Sequence, residues 1–318
     1  MHVVAIGLTN PIQWRIAPSD PTTVSLPNLD GWSLINPLVP VAPRFGEDHV
    51  LHISSDDTCL FTTRNVHLVS PGGRTAVDDA LKLSTALLQR LRIATKQPGL
   101  SSDVAVAGPF EIEALPDLEF PNIQVRTGIK YMRGVDTTAV TLERVLQVVS
   151  DGLESRIPVH GELILDAIQA HHGGDYPKAV LYTAFSLEVL AASSIETECN
   201  TLLASRPSHM RFVELTVVDG ETVIKDPVAT ALKERARRSF RTLLHELPLY
   251  VLGRSLMVDS HSVYTDAVEL HDLRNRVAHL GQLPVDGLTT SRRGLRTAEK
   301  VFEWFGEDNY FLALPETN

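Results

Sequence analysis

The chain has 318 residues and a formal net charge of −10, with 43% hydrophobic and 21% charged residues. That length holds one large domain or two ordinary ones, and two is the working expectation. The composition excludes wholesale disorder, and the acidic balance argues against a duplex binder that works through a global basic field, so any nucleic-acid site must be local.

The first residues, MHVVAIGLTNPIQW, lack a basic start followed by an apolar block. No later segment approaches about 18 uncharged apolar residues in succession, so neither export nor a membrane span is expected. Cys59 and Cys199 are far apart, form no CxxC pair and suit structural thiols in a reducing cytoplasm.

Residues 1 to about 72 alternate short β-prone runs (HVVAIGL, HVLHIS, TCLFTT) with turn dipeptides, which predicts small strands. The period then switches. In SPGGRTAVDDALKLSTALLQRLRIAT, Val77, Ala80, Leu81, Leu83, Leu87, Leu88 and Leu91 fit one helical face. Residues 101–134 return to strand-like runs, VAVAGPFEIEAL and IQVRTGIKYM. From about residue 138 the pattern becomes long helical periods: TAVTLERVLQVVSDG, HGELILDAIQAHHGG, DYPKAVLYTAFSLEVLAASSIETECNTLLA, PVATALKERARRSFRTLLHELPLYVL, the 262–280 run and SRRGLRTAEKVFEWF. Within them, FVELTVVDGETVIKD carries Asp219-Gly220 between two alternating runs, a hairpin signal. The predicted class is therefore α+β: a mixed strand and helix domain over 1–137, then an all-α helical bundle over 138–318 with an inserted β-hairpin.

The stretch HDLRNRVAHLG, residues 271–281, holds the main candidate residues. Leu270, Leu273, Val277 and Leu280 follow the three-four spacing of a buried stripe, with Arg274, Asn275 and His279 off that face. Arg274 and His279 are five apart, about 140° around an ideal helix, so they do not meet on one straight helix. Gly281 and Pro284 predict a helix end near His279, which could swing the imidazole towards Arg274. Alternatively, two copies of the helix meet across a dimer axis and build a composite site.

The run RNRVAH resembles the signature of HEPN domains, in which Arg, a polar residue and a following His on a late helix mark RNA-cleaving members. DYPKAVLYTAFSLEVLA, residues 175–191, resembles the earlier helix of that family and ends in the acidic Glu188. The resemblance covers residues 140–310, about half the chain, and is nearest the bacterial group called ApeA-like. HEPN toxins paired with nucleotidyltransferase antitoxins tend to carry Tyr two residues after the His; Gly281 stands there, so that pairing is not suggested. The resemblance implies RNA as a transient partner, a homodimer, a 2′,3′-cyclic phosphate product, no cofactor, and a setting in bacterial defence or stress response.

Such chemistry needs a base for the ribose 2′-OH, an acid for the leaving 5′-oxygen and a cation for the charge developing on phosphate. An imidazole, with an ordinary pKa of about 6.5, suits both proton transfers, which points to His279. A guanidinium stays charged and grips phosphate in a fork, which points to Arg274, with Asn275 orienting phosphate or imidazole. Glu188 either pairs with Arg274 or is a solvated helix carboxylate. The rival reading makes Arg274 and His279 helix caps favoured by the macrodipole, and the helices a non-catalytic dimerisation or interaction module.

In KERARRSFR, Lys233, Arg237 and Arg241 share a helical face beside Arg238, either an RNA-backbone track or a solvated face, and SRRGLR (residues 291–296) has the same two readings. His171 and His172 suit loop or cap roles. The cluster His49, His52, Asp56, Asp57 and Cys59 lacks a metal-ligand spacing, so no metal is assigned. There is no GxxxxGK[ST], no GxGxxG after a strand, no GxSxG and no HExxH. The leading expectation is a cytoplasmic, metal-independent ribonuclease whose N-terminal domain senses an unknown ligand or trigger.

Overall fold

A computed structural model describes residues 1–45, 49–53, 58–100, 103–117, 139–153, 157–205, 214–218, 221–225, 239–281, 283, 286–307 and 310–311. Strands dominate first and helices follow, the mixed α+β order that the change of period predicts. The chain divides into two compact units, Met1–Ile157 and Pro158–Phe311 among the described residues.

The first unit is an antiparallel sheet ordered β2-β3-β5-β1-β6, with β4 also paired to β5. Its strands are β1 (His2–Ile16), β2 (Thr23–Ser25), β3 (Ser33–Ile35), β4 (His49–Ile53), β5 (Cys59–Ser70) and β6 (Val104–Glu111). β1 is longer than the predicted HVVAIGL run because it pairs with β5 twice. His2↔Ser70 runs to Gly7↔Asn65, and pairing resumes at Ile12↔Thr63 after a bulge. The extra residues include Pro11, which such an interruption tolerates because proline cannot donate to the ladder. Gly7 is required just before the bulge: a Cβ there would lie 2.4 Å from Cγ of Phe45.

Helix α1 (Ala76–Thr95) buries Ala80, Leu83, Leu87, Leu88 and Leu91. Leu81, expected on that face, is instead 42% exposed. It lies 100° on from Ala80, just past the edge of the buried stripe. Helix α2 (Leu142–Ser150) has Thr141 as N-cap, its Oγ1 accepting from the Arg144 N–H.

α2 belongs to the first unit, although its period suggested the helical half. Val140 joins β1 through a parallel bridge to Trp14, with Arg15 N–H to Val140 O at 2.9 Å and Val140 N–H to Gln13 O at 2.8 Å. Val140, Leu142, Val145, Val148 and Val149 then enter the same core as Trp14, Leu68, Leu87 and Leu91. The division consequently falls at 157/158 instead of 137/138, because a two-residue backbone bridge outweighs the change of hydropathy period. The expected strand IQVRTGIKYM lies outside the described residues.

In the second unit, α3 (Val159–His172), α4 (Tyr176–Ser205), α8 (His261–Leu280) and α9 (Gly287–Phe305) pack with α4 at the centre. Three short helices, α5 (Phe240–Leu244), α6 (Glu246–Val251) and α7 (Leu256–Asp259), precede α8. Ile164, Ile168, Ala184, Leu187, Leu190, Ala267, Leu295, Ala298 and Phe302 are fully or almost fully buried. Gly294 lets α9 approach α8 closely, since a Cβ there would sit 3.0 Å from Leu270 Cδ1. Strands β7 (Glu214–Val218) and β8 (Glu221–Lys225) pair antiparallel, Val218 opposite Glu221; Asp219 and Gly220 lie outside the described residues.

Tyr176–Leu202 within α4 is long and apolar enough to cross a membrane by composition, yet 50% of that window is buried inside the unit, as in a core helix. Cys59 and Cys199 are both buried, and neither forms a disulfide. Burial pushes the Cys59 thiol up to about 11, which keeps it protonated and inert at neutral pH.

Candidate functional site

α8 begins after Ser260 and runs unbroken through Arg274 and His279 to Leu280. Gly281 then turns left-handed (φ 68°), and its N–H reaches Val277 O at 2.7 Å, closing the last turn. Leu270, Leu273 and Val277 are buried, as their spacing predicts. Leu280 is 72% exposed, so the stripe stops at Val277 and the last three residues of the helix face out.

The buried stripe leaves Arg274 half-buried at its margin, where it enters a charged cluster. Its Nη2 donates to Glu188 Oε1 on α4, and its Nη1 donates to Asn275 Oδ1 at 2.7 Å. The guanidinium carbon lies 4.9 Å from the centre of the Phe185 ring, one turn before Glu188 on the same helix. Nε–H of Arg274 is buried and has no hydrogen bond among the described residues. Burial draws the guanidinium below its ordinary value. Aromatic face, carboxylate and amide thus fix the plane of the fork.

A further group, His271, shares the same carboxylate. Its Nε2 is 2.7 Å from Glu188 Oε1 and 3.5 Å from Arg274 Nη2. Its ring stacks on Phe240, with centroids 4.9 Å apart and planes 11° apart. Nδ1 is 3.7 Å from Asp272 Oδ1, and the other oxygen of Asp272 is 3.4 Å from Arg241 Nη2. Sequence reasoning passed over His271, although it stands three residues before Arg274, the helical spacing that puts two side chains on one face.

His279 lies on the exposed last turn of α8, with no hydrogen bond or ion pair among the described residues. Because Arg274 and His279 sit in one regular helix, the helix end comes too late to bring them together. They point about 140° apart. The helix end therefore does not swing the imidazole towards Arg274 within the chain. Glu188, Arg274 and Asn275 are assembled within the chain; His279 is not part of that assembly.

The basic segments are weaker as tracks than their composition suggests. Arg241 is spoken for by Asp272 in an exposed pair, and Lys233, Arg237 and Arg238 lie outside the described residues. In SRRGLR, Arg293 binds Asp266 and Glu269 (3.0 Å to the latter), and Arg296 binds Glu299 at 2.8 Å. Arg293 also lines, with Arg276, Thr289 and Thr290, a groove of about 450 Å³ between α8 and α9. Its three acids, Asp266, Glu269 and Asp272, outnumber the two arginines.

His171 is buried at the end of α3, its Nδ1 2.7 Å from Ser291 Oγ on α9. Among the described residues no group of three His, Cys, Asp or Glu could hold a metal ion. No family model, curated protein or solved structure matches the chain.

Proposed function

We propose that the protein is a metal-independent endoribonuclease of HEPN type, in which Arg274 holds the scissile phosphate and His279 transfers protons. The observation that carries this reading is the preset Arg274 fork: a half-buried guanidinium fixed by Glu188, Asn275 and the Phe185 ring on the same α8 that presents an unencumbered imidazole at its exposed end. A capping arginine would lie in the last turn with its donors on terminal carbonyls. Arg274 lies about one turn earlier, and its partners among the described residues are side chains.

In the reaction, neutral His279 takes the proton of a ribose 2′-OH, and the 2′-oxygen bonds to phosphorus as the P–O5′ bond breaks. The 5′-oxygen leaves with the proton that the imidazole has taken up, giving a 2′,3′-cyclic phosphate and a 5′-OH. Arg274 offsets the charge on the equatorial oxygens. Since Arg274 and His279 diverge on one helix, two copies of α8 combine, each contributing one of the two groups at a phosphate. The setting implied is the bacterial cytoplasm, in defence or stress response, with the Met1–Ile157 unit as sensor or regulator.

The rival, a non-catalytic interaction module, draws on Tyr250 and Val258, 73% and 72% exposed on the short helices before α8. Incubating the protein and its His279→Ala variant with mixed RNA separates the two. Cyclic-phosphate ends formed by the parent, reduced at least about 100-fold in the variant, support the ribonuclease. Equal cleavage by the variant, or none by the parent, overturns it.

A further inference from the structure

One carboxylate oxygen, Glu188 Oε1, serves two partners on α8: Arg274 Nη2 and, at 2.7 Å, His271 Nε2. The two donors are themselves only 3.5 Å apart. Stacking on Phe240 fixes the imidazole plane, so His271 does not swing away from the carboxylate to solvent. The charged groups facing it among the described residues are Glu188 from α4, Arg274 and Asp272 from α8, and Arg241 from α5 through Asp272. Glu188 has a single negative charge to divide.

With His271 neutral, its Nε2–H donates an ordinary hydrogen bond and the charge of Glu188 is spent on Arg274. With His271 protonated, the same bond becomes charge-assisted, about twice as strong, and Asp272 at Nδ1 helps to hold the proton. Glu188 is then drawn to the imidazolium, and Arg274 is left with uncompensated charge on a fork whose plane Phe185 and Asn275 still fix. An RNA phosphate meets a stronger grip in the second state. Imidazole is the side chain whose charge ordinarily changes between about pH 5 and 8.

We propose that His271 is a positioning residue of the phosphate site: it competes with Arg274 for Glu188 and, by its protonation, sets how firmly Arg274 engages an RNA phosphate. The inference deepens the ribonuclease reading and rests on it for the identity of the anion. His271 itself touches no reacting atom. Eight residues, or about 12 Å of helix rise, separate it from His279, too far for both to serve one phosphate within a chain.

The experiment uses the full chain carrying His279→Ala, so that RNA is bound but not consumed. Affinity for a fluorescein-labelled single-stranded RNA is read by anisotropy from about pH 5.5 to 8 at fixed ionic strength. Binding is expected to weaken about fivefold across that range, the scale of one partly exposed ion pair. Adding His271→Gln keeps a donor for Glu188 but cannot take up a proton, so the curve flattens at the parent's alkaline value. Adding Glu188→Gln also flattens it, with affinity at alkaline pH at or above the parent's acidic value.

A pH dependence undiminished by His271→Gln overturns the proposal, as does an absent slope in the parent or uniformly weaker binding with Glu188→Gln. Circular dichroism confirms folding of each variant, and if His271→Gln does not fold, the Glu188→Gln curve decides. Failure of the two readings is distinguishable. A parent with native His279 that makes no cyclic phosphate sinks the ribonuclease and leaves the RNA-binding slope to be judged on its own. Cleavage lost in His279→Ala with an unchanged slope in His271→Gln sinks only the role given to His271.

Discussion

The two units treat buried polarity differently. In the first, polar side chains beneath the sheet bond to backbone: His67 Nε2 lies 2.9 Å from Pro43 O, and Asn65 Oδ1 accepts from the Phe45 N–H at 2.5 Å. In the second, buried hydroxyls such as those of Thr183 and Ser186 also bond to backbone, but three half-buried ionisable groups bond to one another, with Glu188 between Arg274 and His271. A backbone amide has one charge state at every pH, whereas carboxylate, imidazole and guanidinium can trade partners. The first arrangement holds loops in place. The second leaves a choice of partner open.

If that contrast is sound, truncating the apolar core of the first unit has the largest effect on stability. Leu68 is fully buried, and Leu68→Ala is expected to cost about 3 kcal/mol in denaturant unfolding without altering the proposed RNA binding per folded molecule. Glu188→Ala sharpens the comparison from the other side. It leaves Arg274 and His271 without their shared carboxylate and is expected to cost about 2 kcal/mol, with Glu188→Gln milder because an acceptor remains.

A smaller effect should appear with pH. Burial, with help from His172 and Arg292, draws His171 below its ordinary 6.5. The unfolded chain therefore takes up that proton first as pH falls, and stability declines from about pH 7 downward. His171→Gln should reduce that decline in unfolding free energy measured between pH 7 and the acid side of 6.5. The smallest effect is expected at Arg293, whose side chain is 60% exposed beside Asp266 and Glu269. Arg293→Ala should change stability by less than about 1 kcal/mol, since such surface pairs are screened by water and salt.

Much of this layout is legible in the residues. The alternating runs of the first 70 residues, the α1 face and the Leu270, Leu273, Val277 stripe follow from period alone, because each records a single interface. What period misses are positions settled by a partner distant in sequence. Leu280 has the right spacing but emerges beyond the packed turns, Leu81 sits at the margin of its stripe, and the basic look of SRRGLR dissolves once Asp266, Glu269 and Glu299 are beside it. At the candidate site, Arg274 and Asn275 could be picked out by their place in RNRVAH. His271 could not, because its role depends on Glu188, 83 positions earlier, and on Phe240.

The bridge between Trp14 and Val140 bears on how the chain can be taken apart. A fragment ending at residue 137 follows the visible change of pattern but strips away the valines and leucine that α2 adds to the core of the sheet, leaving Trp14, Leu87 and Leu91 partly uncovered. Such a fragment would offer a sticky apolar face and aggregate, and its failure could be misread as evidence that the N-terminal half needs the rest of the chain. Severing between Ile157 and Pro158 keeps α2 with the strands it closes and makes independent folding a fair question.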